Sequence, residues 1–221
     1  MIGLYQLSGA RKALRCREAL DLHGIATEKP RMLGEGPTAL IGAYEPGPGP
    51  GGLRALQPLA GMSVIEYQAR RAIEAGAARI LLLIDEAPAE LSEAIARLRS
   101  DGIQTGMVQG IDQAADALEQ DEGVLLIAEG CLPTMGLLRD ILAAPMPALG
   151  TVPDTAEFGQ FERIDAEQRW AGIALLDAHR IAETAAMIGA WDPVSTLLRR
   201  AVQEGASAYL RLNGLRGAEA E

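Results

Sequence analysis

From Thr38 onward the chain alternates between two kinds of hydrophobic block. Short unbroken apolar runs, Thr38–Ala43, Arg79–Ile84 and Gly123–Ala128, have the length of strands buried on both faces. Between them lie stretches whose apolar residues recur at helical spacing, as Ile65, Ala69, Ala72 and Ile73 do. Ser63 and Glu66 form a capping-box pattern that opens this helix, and Gly76 is placed to end it. Pro88 predicts a helix running to about Ser100, stopped by Gly102, and Ile103–Gln109 reads as a strand. Asp112 is placed to cap a short helix through Glu119, and Thr134 to cap Met135–Ala144. After Pro145 the alternation breaks. Ala148–Val152, Phe161–Asp165 and Trp170–Leu176 read as closely spaced strands, followed by helices over Asp177–Ile188 and Pro193–Glu204 and a strand over Ala206–Leu212. The pattern predicts a three-layer α/β/α domain with a mostly parallel, Rossmann-like central sheet and a mixed C-terminal extension.

Residues 1–36 follow a different pattern: a basic, moderately amphipathic helix candidate over Ser8–Leu22, then linker through Lys29-Pro30 and Gly34–Gly36. The expected organisation is an N-terminal appendage (1–36), one α/β domain (37–213) and a frayed tail (214–221). With 48% hydrophobic residues, the 221-residue chain has enough apolar surface for a sizeable core. A net charge of -10 without a Lys/Arg stripe disfavours a nucleic-acid partner and leaves room for one small basic pocket for a nucleotide. Apolar runs are strand-sized, so no membrane insertion is expected, and the start does not read as a signal peptide. Two cysteines, Cys16 and Cys131, suit a reducing, cytoplasmic setting. Only His23 and His179 occur, neither well placed for a Ser-His-Asp or Cys-His site, and zinc ligation fails for the same shortage. Nothing in the pattern excludes a homo-oligomer.

In open α/β sheets ligands bind at the carboxyl ends of strands. The first such end runs from Ala43 and Tyr44 into a loop with Gly47, Gly49, Gly51 and Gly52, whose backbone can approach a ligand closely. It is not a dinucleotide fingerprint, because the next helix starts only near Ser63, and the Gly-Lys-Ser/Thr of a P-loop is absent. The bland alternative is a plain Gly/Pro surface loop.

The stretch from Leu53 through Arg54, Pro58, Ala60, Gly61 and Ile65 to Glu66 resembles that of the sugar-phosphate nucleotidyltransferases, a MobA-like family with a nucleotide-diphospho-sugar transferase fold. There a Gly-rich loop leads into Pro-Lys-Pro-Leu-Leu-Pro-Val-Ala-Gly-x-Pro-Leu-Ile-Glu. Gly123–Glu129 resembles the family's apolar strand ending in Gly-Asp, and Trp170–Asp177 its later Asn-Ala-Gly-Ile-Tyr strand, with Trp170 in place of asparagine. The resemblance implies an Mg²⁺-dependent transfer from a nucleoside triphosphate to a sugar or polyol phosphate, with release of pyrophosphate. It puts Arg54 at the family's signature lysine and Glu129 at its metal-holding aspartate. Asp192 is the candidate second metal ligand, Ala43, Tyr44 and the loop glycines would hold the nucleotide, and Gly110 falls where related cytidylyltransferases contact the base. Positioning and charge neutralisation are the protein's share of such a reaction.

Each assignment has a structural alternative. Arg54 reads equally as a solvated loop arginine and Glu129 as a polar residue where a strand surfaces; Asp192-Pro193 has the form of a helix N-cap followed by an N1 proline, and Asp177 also precedes a helix. The chain departs from the family pattern in lacking a loop arginine, in Arg for Lys and in Glu for Asp. A second function therefore stands beside the first: a binding or regulatory protein that keeps the fold without turnover. A loop 44–52 packed shut over the strand ends would favour that reading.

Overall fold

A computed structural model describes residues 36–47, 52–187, 193–203 and 208–211. The predicted appendage helix and the frayed tail lie outside the described residues, as do Gly49, Gly51 and Asp192. The parallel strands are β1 (Thr38–Gly42), β4 (Arg79–Ile84), β5 (Thr105–Gln109) and β6 (Gly123–Ile127). Two two-residue strands, β2 (Pro58–Leu59) and β3 (Met62–Ser63), make a small hairpin outside the main sheet. With β7 (Ala148–Pro153), β8 (Gln168–Asp177) and β9 (Ala208–Arg211), the main sheet has seven strands in the order β5-β4-β1-β6-β8-β7-β9. Only β8 runs antiparallel to its neighbours, which makes the sheet parallel at one side and mixed at the other.

Strand residues alternate between two cores. Ile41, Leu82, Leu125 and Ile127 pack against helices α1 (Val64–Ala75), α2 (Ala89–Ser100) and α4 (Met135–Ala143). Leu40, Leu81, Leu83 and Leu126 pack against α3 (Gly110–Asp116), α5 (Ala178–Met187) and α6 (Pro193–Gln203). Both faces are covered, so the strands are apolar throughout, and each fully buried Leu or Ile contributes roughly 1.5–3 kcal/mol relative to exposure. This is the predicted three-layer α/β/α architecture. No helix among the described residues is long and apolar enough to cross a membrane.

The capping box is formed: Ser63 and Glu66 exchange bonds, and Gly76 closes α1 in the left-handed region (φ 118). Glu66 does more than cap. Its buried carboxylate receives Arg97 of α2 through Nε at 2.8 Å and Nη2 at 3.1 Å, tying two helices together. That guanidinium, ahead of burial and the Ser63 bonds, holds Glu66 down at about 2.

Two local expectations are corrected, and one local feature had no counterpart in the sequence reading. Phe161–Asp165 is not a full strand but makes one isolated antiparallel bridge to β8, Arg163 to Arg169, and the Asp165 carboxylate, accepting from the amides of Glu167 and Gln168 at 2.8 Å, turns the chain back into β8. Asp112 lies inside the first turn of α3 and does not cap it; Gln109 occupies the cap position, its amide donating to Gln113 Oε1 at 3.0 Å. The β2–β3 hairpin turns on Ala60 (φ 50) and Gly61 (φ 86), a non-glycine residue at positive φ that carries no sequence signal.

Candidate functional site

Strand order reverses between β1 and β6, and their carboxyl ends open the crevice where α/β sheets bind ligands. A cleft of about 650 Å³ lies there, walled by the loop after β1, the loop between β6 and α4, and the segment preceding β8. A larger groove, about 1220 Å³, lies at the opposite end of the sheet around Arg79 and Glu122. Its one cation among the described residues, Arg79, is paired with Glu122, and it lies away from the switch point, so the smaller cleft is the candidate site.

Glu129 stands two residues beyond β6 at the floor of this cleft, 8% exposed. Its Oε2 accepts the consecutive amides of Tyr44 (2.8 Å) and Glu45 (2.7 Å), and its Oε1 accepts the amide of Ala55 (3.0 Å). Gly42, at the end of β1, leaves room for this side chain: a Cβ there would come within 3.2 Å of the Tyr44 ring and 3.5 Å of Glu129 Cβ. Burial pushes the Glu129 carboxyl above its ordinary value against the pull of the three amides, and the neighbouring Glu45 charge adds to the rise.

The loop after β1 folds back on itself. Arg54 donates its amide to Glu45 O (2.9 Å), Gly47 to Gly52 O (2.7 Å), and Pro46 bridges Leu53. A side chain at Gly47 could not fit, since its Cβ would lie 2.8 Å from the Leu53 carbonyl carbon. The amides of Tyr44, Glu45, Gly47, Arg54 and Ala55 are thus all committed within the protein.

Arg54 opens a short 3₁₀ turn (Arg54–Leu56) and crosses the cleft mouth. Its stem passes over Gly130, where a Cβ would meet Arg54 Cδ at 2.9 Å; with φ 76, this backbone also favours glycine. The guanidinium pairs with Glu45 at 3.0 Å, both side chains being about half exposed.

The opposite wall comes from residues that the sequence reading assigned no role in the site. Phe161, Glu162, Trp170 and Ser195 line it, with Ser195 Oγ donating to Glu162 Oε2 at 2.9 Å. Trp170 was legible only as a substituted asparagine, and Ser195 carries no sequence signal. Fully buried Gln68 on α1 clamps the β6–α4 loop from beneath, donating to the carbonyls of Ala128 (2.9 Å) and Cys131 (2.7 Å). Burial pushes the Cys131 thiol up to about 12, which keeps it protonated, and it donates to Ala171 O.

Of the predicted site residues, the structure brings Tyr44, Arg54 and Glu129 together in one cleft. Ala43 is fully buried beside them, its amide bound to Leu83 O. Gly47 and Gly52 pair with each other in the loop hairpin. Gly110 (φ 81) begins α3 at the end of the edge strand β5 and does not line the cleft.

Comparison with known proteins bears on the fold. No protein-family model and no curated protein matches the sequence. Solved structures do match. The inositol-1-phosphate CTP transferase of T. maritima superposes with a TM-score of 0.61 at 13% identity, over 81% of this chain and 86% of that one. CMP:2-keto-3-deoxy-manno-octonic acid synthetase complexed with CTP gives 0.55 at 14%, over 80% and 90%. A nucleotidyl transferase from Methanothermobacter thermautotroptrophicus gives 0.51 at 15%, over 80% and 87%. The fold is that of the nucleotidyltransferases.

Within this nucleotidyltransferase fold, the donor set can be tested against Mg²⁺. The ion demands near-octahedral oxygen ligation and usually one or two free carboxylates. Both Glu129 oxygens accept backbone amides, two on Oε2 and one on Oε1, and Glu45 pairs with Arg54. Among the described residues no three His, Cys, Asp or Glu side chains converge to hold a metal. Asp192, the other expected ligand, lies outside the described residues.

Proposed function

We propose that this chain binds a nucleoside triphosphate or a phosphorylated small molecule in the cleft, as a binding or regulatory protein built on the nucleotidyltransferase fold. One observation carries the reading: the carboxylate that would serve chemistry at the end of β6 instead fastens the loop after β1 through three backbone amides. Arg54 supplies the cation at the mouth, where a guanidinium suits a phosphate. The half-apolar wall of Phe161 and Trp170 suits the body of a small organic ligand.

A second reading is favoured by a different observation. The matching structures include an inositol-1-phosphate CTP transferase and a synthetase complexed with CTP, and a carboxylate faces the same crevice here. In that reading the chain is an Mg²⁺-dependent nucleotidyltransferase for a sugar or polyol phosphate, with Glu129 and Asp192 as metal ligands. Pyrophosphate release from CTP, UTP, GTP, ATP and dTTP, each with Mg²⁺ and a panel of sugar and polyol phosphates, separates the two. The binding reading expects no release above background while a nucleotide or phosphorylated compound still binds. Release that vanishes in E129A would establish the enzyme.

A further inference from the structure

The amides of Tyr44 and Glu45 point at one oxygen and that of Ala55 at the other, an arrangement of converging N–H groups that suits an anion. The anion present is the protein's own Glu129, delivered from a different strand. Among the described residues the charged side chains lining the cleft are Glu45, Glu129, Glu162 and Arg54, so these surroundings disfavour a second anion while Glu129 is seated. We propose that the Tyr44, Glu45 and Ala55 amides form an anion site that Glu129 plugs from within, so that a phosphate group enters it only by displacing this carboxylate.

The structure supports displacement in two ways. Glu129 lines the cleft together with Tyr44 and Glu45, so the carboxylate and two of its three amide partners belong to residues that a ligand in the cleft reaches. Arg54 lies over the adjacent Gly130 at the same mouth and is held by an exposed ion pair alone, which makes it available to an incoming phosphate. Competition between a resident carboxylate and a ligand phosphate lowers apparent affinity and links ligand arrival to release of the loop. The inference rests on the binding reading of the cleft but concerns the amide site alone.

Titration of the full chain with inorganic pyrophosphate in metal-free buffer, by calorimetry, tests it. E129A is expected to bind pyrophosphate about tenfold or more tightly than the wild type, because charge-assisted bonds to vacated amides become available. E129Q, which keeps the side chain's shape should E129A fail to fold, is expected to lie between. E162Q removes a negative charge from the same cleft without opening the amides, and is expected to gain about twofold at most. Equal pyrophosphate binding by the wild type and both Glu129 variants, or a gain in E162Q matching that in E129A, overturns the plug. If E129A takes pyrophosphate tightly but no nucleoside triphosphate, the plug stands and the nucleotide reading falls. If triphosphates bind the wild type and E129A equally, the nucleotide reading stands and the plug falls.

Discussion

One strand, β6, is bracketed by two glutamates that the fold treats in opposite ways. At its amino end Glu122 receives Arg79 Nη2 (3.0 Å), the amide of Glu119 (3.0 Å) and the Thr38 hydroxyl. Arg79 also bonds Thr38 Oγ1 (2.7 Å) and Ala117 O (2.7 Å), so the network closes on itself. Burial works to raise Glu122, but the Thr38 hydroxyl, the Glu119 amide and Arg79 together hold its carboxyl below the ordinary value. At the carboxyl end Glu129 has three amide dipoles, no cation of its own and a neighbouring Glu45, and burial holds it above that value. The first arrangement ties strands together; the second leaves a charge incompletely compensated at the crevice where ligands bind. The incompletely compensated end is the one that faces the cleft.

Breaking the paired end has the largest expected effect. E122A leaves Arg79 without its carboxylate and should cost about 2–4 kcal/mol in chemical denaturation, with little change in ligand binding. A loss below that of E129A would reverse the comparison. E129A releases three amides, two of them (Tyr44 and Glu45) on residues that line the cleft and can be hydrated, so its cost is expected at about 1–2 kcal/mol. R54A removes only a half-exposed ion pair and should change stability by about 0.5 kcal/mol or less, while weakening phosphate binding.

The pH dependences of the two glutamates should have opposite signs. A lowered carboxyl, Glu122, contributes stability that is present above its ordinary value of 4.5 and is lost as pH falls through and below it. The advantage of the wild type over E122Q should therefore shrink on acidification through that range. A raised carboxyl, Glu129, binds its proton more readily folded than unfolded, so stability rises as pH falls from its raised value toward 4.5. The wild type should gain on E129Q over that window. Parallel profiles for the two pairs would show that the ends of β6 are not electrostatically distinct.

Most of the framework was legible because its signals are local. Ser63, Glu66 and Gly76 announce α1 within fourteen residues, and the uninterrupted apolar runs of β1, β4 and β6 require a sheet covered on both faces. The position of Glu129 at a strand end was legible for the same reason. Its partners were not, because the amides of Tyr44, Glu45 and Ala55 belong to the backbone and leave no trace in residue type. Glu66 was read as half of a capping box, yet its bond to Arg97, thirty-one residues away, depends on how two helices pack. Phe161–Asp165 misled for the converse reason: apolar Phe161 and Ile164 suggested a strand while the Asp165 turn chemistry, two to three residues on, decided the path.

The most direct test is the melting temperature of the wild type and E129A against CTP, UTP, GTP, ATP and dTTP, each with and without Mg²⁺. A ligand that binds only the folded state raises the melting temperature once its concentration exceeds Kd. The expected result is stabilisation by a triphosphate that does not require Mg²⁺ and is larger in E129A than in the wild type. Stabilisation that appears only with Mg²⁺ and disappears in E129A would contradict the account and make Glu129 a metal ligand.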